Sequence, residues 1–127
     1  AMLDASFMLA TLDQLKARGI SISIDDFGTG FSSLSYLERL NVDRLKVDQS
    51  FINQMAHTDS SLRIVETIVQ LGRTLQLQVI AEGVEHEAQR DILLRQGCQT
   101  YQGFLFSRPV PIDAFEILCC APGQFLP

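Results

Sequence analysis

Short apolar runs alternate with stretches of helical period along almost the whole chain, and this alternation limits the fold more than any other feature. The run Ile20 to Asp25 has period two and reads as a strand. Further strands are expected at Arg44 to Asp48, Gln78 to Ala81 and Thr100 to Leu105. Between them the apolar spacing is helical. A first helix is expected from about Ser6 to Arg18, with Phe7, Leu12 and Leu15 toward the core and Gly19 as its stop. A short helix capped by Ser32 or Ser33 carries Leu34, Leu37 and Leu40. The longest, capped by Asp59 or Ser60, carries Leu62, Val65, Ile68, Val69 and Leu75. Two more are expected from about Glu87 to Gln96, and from a cap at Asp113 to about Leu118. Strand and helix in alternation with short connections require parallel pairing and crossover helices, so the fold class is α/β.

The polar residues follow the same rhythm. Each strand is apolar until its carboxyl end, where Asp25 and Asp26, Lys46 with Asp48, Glu82, and Gln102 stand. On a parallel βα scaffold those ends share one rim, the rim on which barrels of this kind place catalysis. Alternation puts Ser21, Ser23 and Asp25 on one face, with Ile20, Ile22 and Ile24 toward the covering helices. Gly28 and Gly30 can supply the turn after the paired aspartates. Two adjacent carboxylates repel unless they share a proton or a divalent cation with hard oxygen ligands. Taken alone, the pair favours a strand-ending turn in which Asp caps the following loop.

The 127 residues amount to one domain, with 46% hydrophobic and 20% charged residues, which suits a packed core. Ten Lys and Arg against 15 Asp and Glu give a net charge of −5 and leave no basic stripe. Duplex nucleic acid and direct membrane contact are therefore not expected. No apolar stretch is long enough to span a bilayer and no signal peptide opens the chain, so a cytoplasmic location is expected. Cys98, Cys119 and Cys120 match no zinc spacing and read as reduced thiols, the adjacent pair packing as small apolar side chains. His57 and His86 have no partners at metal spacing and read as surface residues.

Four blocks carry a family resemblance: Asp25-Asp26-Phe27-Gly28-Thr29-Gly30-Phe31-Ser32-Ser33-Leu34, Leu45-Lys46-Val47-Asp48, Ala81-Glu82-Gly83-Val84-Glu85, and Gln102-Gly103-Phe104-Leu105-Phe106-Ser107-Arg108-Pro109. In this order they resemble the EAL-domain family of bacterial cyclic di-GMP phosphodiesterases. The resemblance implies an EAL-type (β/α)8 TIM barrel with two divalent metal ions, Mg²⁺ or Mn²⁺. Asp25 matches the position bridging both metals, Asp26 a ligand of the second, and Glu82 an acid at that second metal. Lys46 matches a lysine near the attacking water and scissile phosphate. Glu85 matches a supporting acid, and Gln102 a residue contacting substrate or site water. The segment Phe27 to Ser33 matches a loop linking metal occupancy to dimer contacts.

The Glu-Ala-Leu signature itself and the upstream Asn and Glu metal ligands are absent from these residues. A complete barrel takes about 250 residues, so the chain is expected to be the C-terminal half, about strands five to eight. Residues 1–120 would form a partial EAL domain and 121–127 a tail. The implied function is part of a phosphodiesterase that hydrolyses cyclic di-GMP to linear pGpG, with the metal site incomplete in this chain. The alternative is a non-catalytic EAL-like module that binds cyclic di-GMP or a protein partner. The expected partners are cyclic di-GMP, the missing N-terminal half-barrel and a second copy in a homodimer, because a lone half-barrel exposes two strand edges and one uncovered face. For the individual residues other readings stay open. Glu85 suits equally a first-turn acid of the following helix, and Arg108 suits either a phosphate contact or a rim salt bridge.

Overall fold

A computed structural model describes residues 5–27 and 34–120. The elements run α1 (Ala5–Ala17), β1 (Ser23–Phe27), α2 (Leu34–Arg39), β2 (Arg44–Val47), α3 (Gln49–Gln54), α4 (Asp59–Thr74), β3 (Gln78–Ala81), α5 (Glu87–Arg95), β4 (Thr100–Tyr101) and α6 (Ile112–Cys120). The four strands form one parallel sheet in the order β1-β2-β3-β4. The expected caps Ser32 and Ser33, the glycines Gly28 and Gly30, most of the Phe27–Ser33 loop and the tail 121–127 lie outside the described residues.

Because strand side chains alternate, one face of the sheet is apolar and the other polar. Leu45 pairs with Val79 and Val47 with Ala81, and all four are buried together with Phe27. Ile52 of α3, Val65, Ile68 and Val69 of α4, and Leu93 of α5 complete this core. The period of α4 explains its place, since Val65, Ile68, Val69 and Gly72 recur on one stripe and are its buried residues. Thr58 caps it, one or two residues before the expected cap, by accepting from the Ser61 N–H at 3.4 Å. The opposite face carries Ser23, Arg44, Lys46, Gln78 and Thr100, with Ile80 as its apolar exception. A ladder of side chains crosses it: Arg44 Nε donates to Gln78 Oε1 at 2.9 Å, and Gln78 Nε2 donates to Thr100 Oγ1 at 3.3 Å. No helix among the described residues is long and apolar enough to cross a membrane.

Several expectations need correction. The first strand begins at Ser23 rather than Ile20, and Ile20 is 48% exposed. Asp43 intervenes before it: its carboxylate accepts the Ile22 N–H at 2.8 Å, drawing that amide out of the ladder. Phe7 is 74% exposed instead of facing the core. Five residues turn a helix by about 140° past whole turns, so Phe7 and Leu12 never shared a face. Strand β4 stops at Tyr101 rather than Leu105, because Gly103 (φ 153°) turns the chain. Helix α3 was not expected, since Gln49 to Gln54 has no apolar period; Asp48, read as a strand end, is its N-cap. Cys98 is buried as a small apolar side chain, whereas Cys119 and Cys120 are exposed.

Candidate metal centre

The paired aspartates do not follow simple strand alternation. Between Ile24 and Phe27 strand β1 takes three steps while its neighbour takes two, from Leu45 to Val47. The extra residue is a β-bulge, and Asp26 in it has φ 52°. Asp is among the few residues other than Gly that adopt this left-handed conformation without severe cost. The bulge lets Phe27 return to the core while both aspartate side chains leave on the same side. Asp26 N–H donates back to Asp25 Oδ1 at 2.9 Å, closing the kink.

Glu82 follows β3 directly, and its N–H extends the ladder by donating to Val47 O at 3.1 Å. Carboxylate oxygens of Asp25, Asp26 and Glu82 all lie within 4.8 Å of one another. Lys46, projecting from the polar face of β2, places Nζ 3.3 Å from Glu82 Oε1. Gathering acids this closely raises the cost of ionising all of them. A hydrogen bond from Glu82, and then the Asp26 N–H, holds Asp25 below the ordinary carboxylate range. Burial, followed by that hydrogen bond to Asp25, pushes Glu82 up against the opposing pull of Lys46. Asp26 is pushed up by its hydrogen bond to Asp48 and then by the charge on Asp25.

Asp48 is the residue that sequence reading undervalued. Its carboxylate accepts from the Ser50 N–H at 2.8 Å and from the Ser50 hydroxyl, which together hold it below the usual range. It therefore caps α3 and contacts Asp26 at once. The spacing Asp48-Gln49-Ser50 was the available signal, an Asx-type cap.

Glu85, Gln102 and Arg108 belong to a different feature. They line a cavity of about 680 Å³ with Gln49, Gly83 and Phe104 among others. Two backbone bonds join its walls: Val84 N–H to Gln102 O and Leu105 N–H to Val84 O, each 3.0 Å. Arg108 stacks over the Phe104 ring at 4.4 Å and, among the described residues, is in no ion pair. Glu85 lies outside α5, whose N-cap is His86 and whose first-turn acid is Glu87. The first-turn reading of Glu85 therefore falls. His57 and His86 are both exposed, as expected.

The EAL-domain family profile matches residues 2–109. The chain belongs to the EAL-domain family. MucR of Pseudomonas aeruginosa, named as a bifunctional diguanylate cyclase/cyclic di-GMP phosphodiesterase, is 56% identical over 113 residues. That match covers 89% of this chain and 16% of MucR. A solved structure of the MucR phosphodiesterase in complex with c-di-GMP superposes with a TM-score of 0.85 at 55% identity, covering 91% of this chain and 47% of that one. A manganese/cy-diGMP complex of BlrP1 from Klebsiella pneumoniae superposes with a TM-score of 0.73 at 38% identity, over 79% of this chain and 26% of that one. The chain thus spans about half of the solved MucR structure and about a sixth of the curated MucR protein. Within this EAL fold, a cluster of three carboxylates fits a hard divalent cation, which takes oxygen ligands.

Proposed function

We propose that the chain is the carboxyl-terminal part of an EAL phosphodiesterase that hydrolyses cyclic di-GMP to linear pGpG with two divalent ions, Mg²⁺ or Mn²⁺. The observation that carries this reading is the cluster of Asp25, Asp26 and Glu82 with Lys46 against it. The c-di-GMP complexes of MucR and BlrP1 support the substrate, and the manganese in BlrP1 supports the ion class. In this account the chain supplies about strands five to eight of the barrel, residues 1–120 being the partial domain and 121–127 a tail. The upstream half supplies the remaining ligands. Homodimerisation and a cytoplasmic location belong to the same proposal.

Asp25, Asp26 and Glu82 are the residues that would hold the metal ions. Bound there, divalent cations would supply Lewis-acid chemistry, lowering the pKa of a coordinated water and spreading the charge of the phosphoryl oxygens. Lys46 directs its ammonium at the same point and offsets negative charge that develops during attack. Gln102 and Arg108 contact substrate from the adjoining cavity, whose Phe104 and Phe106 offer apolar surface to a base. Glu85 supports the loop between the two.

The test supplies the upstream half of an EAL domain and measures Mn²⁺ binding by isothermal titration together with conversion of cyclic di-GMP. Metal binding and linear product, both lost in Asp25→Asn, are expected. Absence of Mn²⁺ binding in the completed domain refutes the reading. Dinucleotide binding without any product supports the non-catalytic EAL module instead.

A further inference from the structure

Gln89 is the one buried polar side chain among the described residues, 5% exposed, and it is outside the acid cluster. It lies in the first turn of α5. Its Oε1 accepts the Glu85 N–H at 2.8 Å and the His86 N–H at 3.1 Å. Its Nε2 donates to Ile52 O, at the C-terminal turn of α3, at 3.3 Å. The carboxamide orientation is fixed by these partners, because only oxygen can meet two N–H groups and only nitrogen can meet a carbonyl. Gln89 therefore ties the loop after β3 to α3, an element adjacent in space and distant in sequence.

Helix α3 reaches the acids from its other end. Asp48 caps it through Ser50 and contacts Asp26. Gly83, next to Glu82, lies so close that a Cβ there would stand 2.6 Å from Gln49 Cβ. Helix α3 is thus a strut, with Asp26 braced at its start and the Glu82–His86 loop braced along it and at its end. When all three carboxyls are ionised they push one another apart, and the loop carrying Glu82 then needs a restraint against opening.

We propose that Gln89 is a positioning residue for the metal centre, holding the Glu82–His86 loop against α3 so that Glu82 remains beside Asp25 and Lys46. The inference rests on the metal-centre reading of the acid cluster. Ligand-supporting hydrogen bonds of this kind change metal affinity or activity by about 10–100-fold when removed.

The experiment uses the completed EAL domain and titrates Mn²⁺ at a temperature where every variant is fully folded by circular dichroism. Gln89→Leu is expected to weaken Mn²⁺ about 10–100-fold and to expose the Glu85 and His86 amides to hydrogen exchange. Leu93→Ala, a buried position in the same helix whose side chain has no hydrogen-bonding group to offer the loop amides, is the stability control. It should lower the melting temperature and leave Mn²⁺ affinity within about twofold. Gln89→Glu keeps the acceptor and loses the donor to Ile52, so it too should bind Mn²⁺ more weakly. Wild-type affinity in Gln89→Leu or in Gln89→Glu overturns the proposal, as does an equal loss in Leu93→Ala. If the wild type itself binds no Mn²⁺, the metal-centre reading falls and takes this inference with it. A wild type that binds beside an equally tight Gln89→Leu sinks the inference alone.

Discussion

Gly103→Ala should part the two loops that frame the cavity beside the acids. A Cβ at this position would stand 2.2 Å from Val84 O and 2.4 Å from Val84 N, both backbone atoms that no rotamer change can move. Ordinary contact begins at 3.4 Å, so the loops must retreat by about 1.2 Å. That distance takes Val84 N–H to Gln102 O and Leu105 N–H to Val84 O, now 3.0 Å each, out of hydrogen-bond reach. Each lost bond costs about 0.5–1.5 kcal/mol, and the pair about 1–3 kcal/mol, before any strain from the positive φ of 153°. The melting temperature should fall by about 3–15 °C. Amide exchange should quicken at Val84 and Leu105 in particular. In the completed domain, dinucleotide affinity should fall more than Mn²⁺ affinity, because Gln102 and Arg108 line this cavity while the three acids lie outside it. A Gly103→Ala protein with wild-type melting and wild-type exchange at both amides would refute the reasoning.

Lys46→Met removes the ammonium 3.3 Å from Glu82, so the Glu82 carboxyl should hold its proton to still higher pH, read by NMR titration. Asp48→Ala removes the α3 cap and should cost about 1 kcal/mol in denaturant unfolding; losing its hydrogen bond should also return Asp26 toward the ordinary carboxylate range. In chelator, two sets of carboxyls oppose each other with pH. Glu82 and Asp26 are raised in the fold, so their stabilising contribution is complete below the ordinary values of 4.5 and 3.8 and is lost as pH rises through the raised ones. Asp43 is lowered by the Ile22 N–H and Lys16, so its contribution is present above 3.8 and lost as pH falls through its folded value. Asp25 and Asp48, also lowered, act in the same sense, so melting temperature against pH should lose part of its acid-side slope in Asp43→Asn and part of its upper-side slope in Glu82→Gln.

The sheet was readable because each strand pairs a short apolar run with a polar residue at its carboxyl end. Strand β3 matches its expected bounds, Gln78 to Ala81, since the flanking helices are long and amphipathic. The acids were readable for the same reason, as strand-end polar groups on one rim. What local pattern could not reveal was how Asp25 and Asp26 reach the same side, because strict alternation forbids it. The bulge at Asp26 depends on pairing with β2, a tertiary fact. Helix α3 was hidden because its only buried residue is Ile52, too little for a period, and its stability comes from the Asp48 cap and from Gln89. The early end of β4 escaped notice because Phe104, Leu105 and Phe106 look like strand. Gly103 against Val84 decides otherwise.

The most direct measurement is anomalous diffraction at the manganese edge from crystals of the completed domain grown with Mn²⁺. The account predicts density among the carboxylate oxygens of Asp25, Asp26 and Glu82, with Lys46 alongside. Manganese density elsewhere on the protein, with these three carboxylates left uncoordinated, would contradict it.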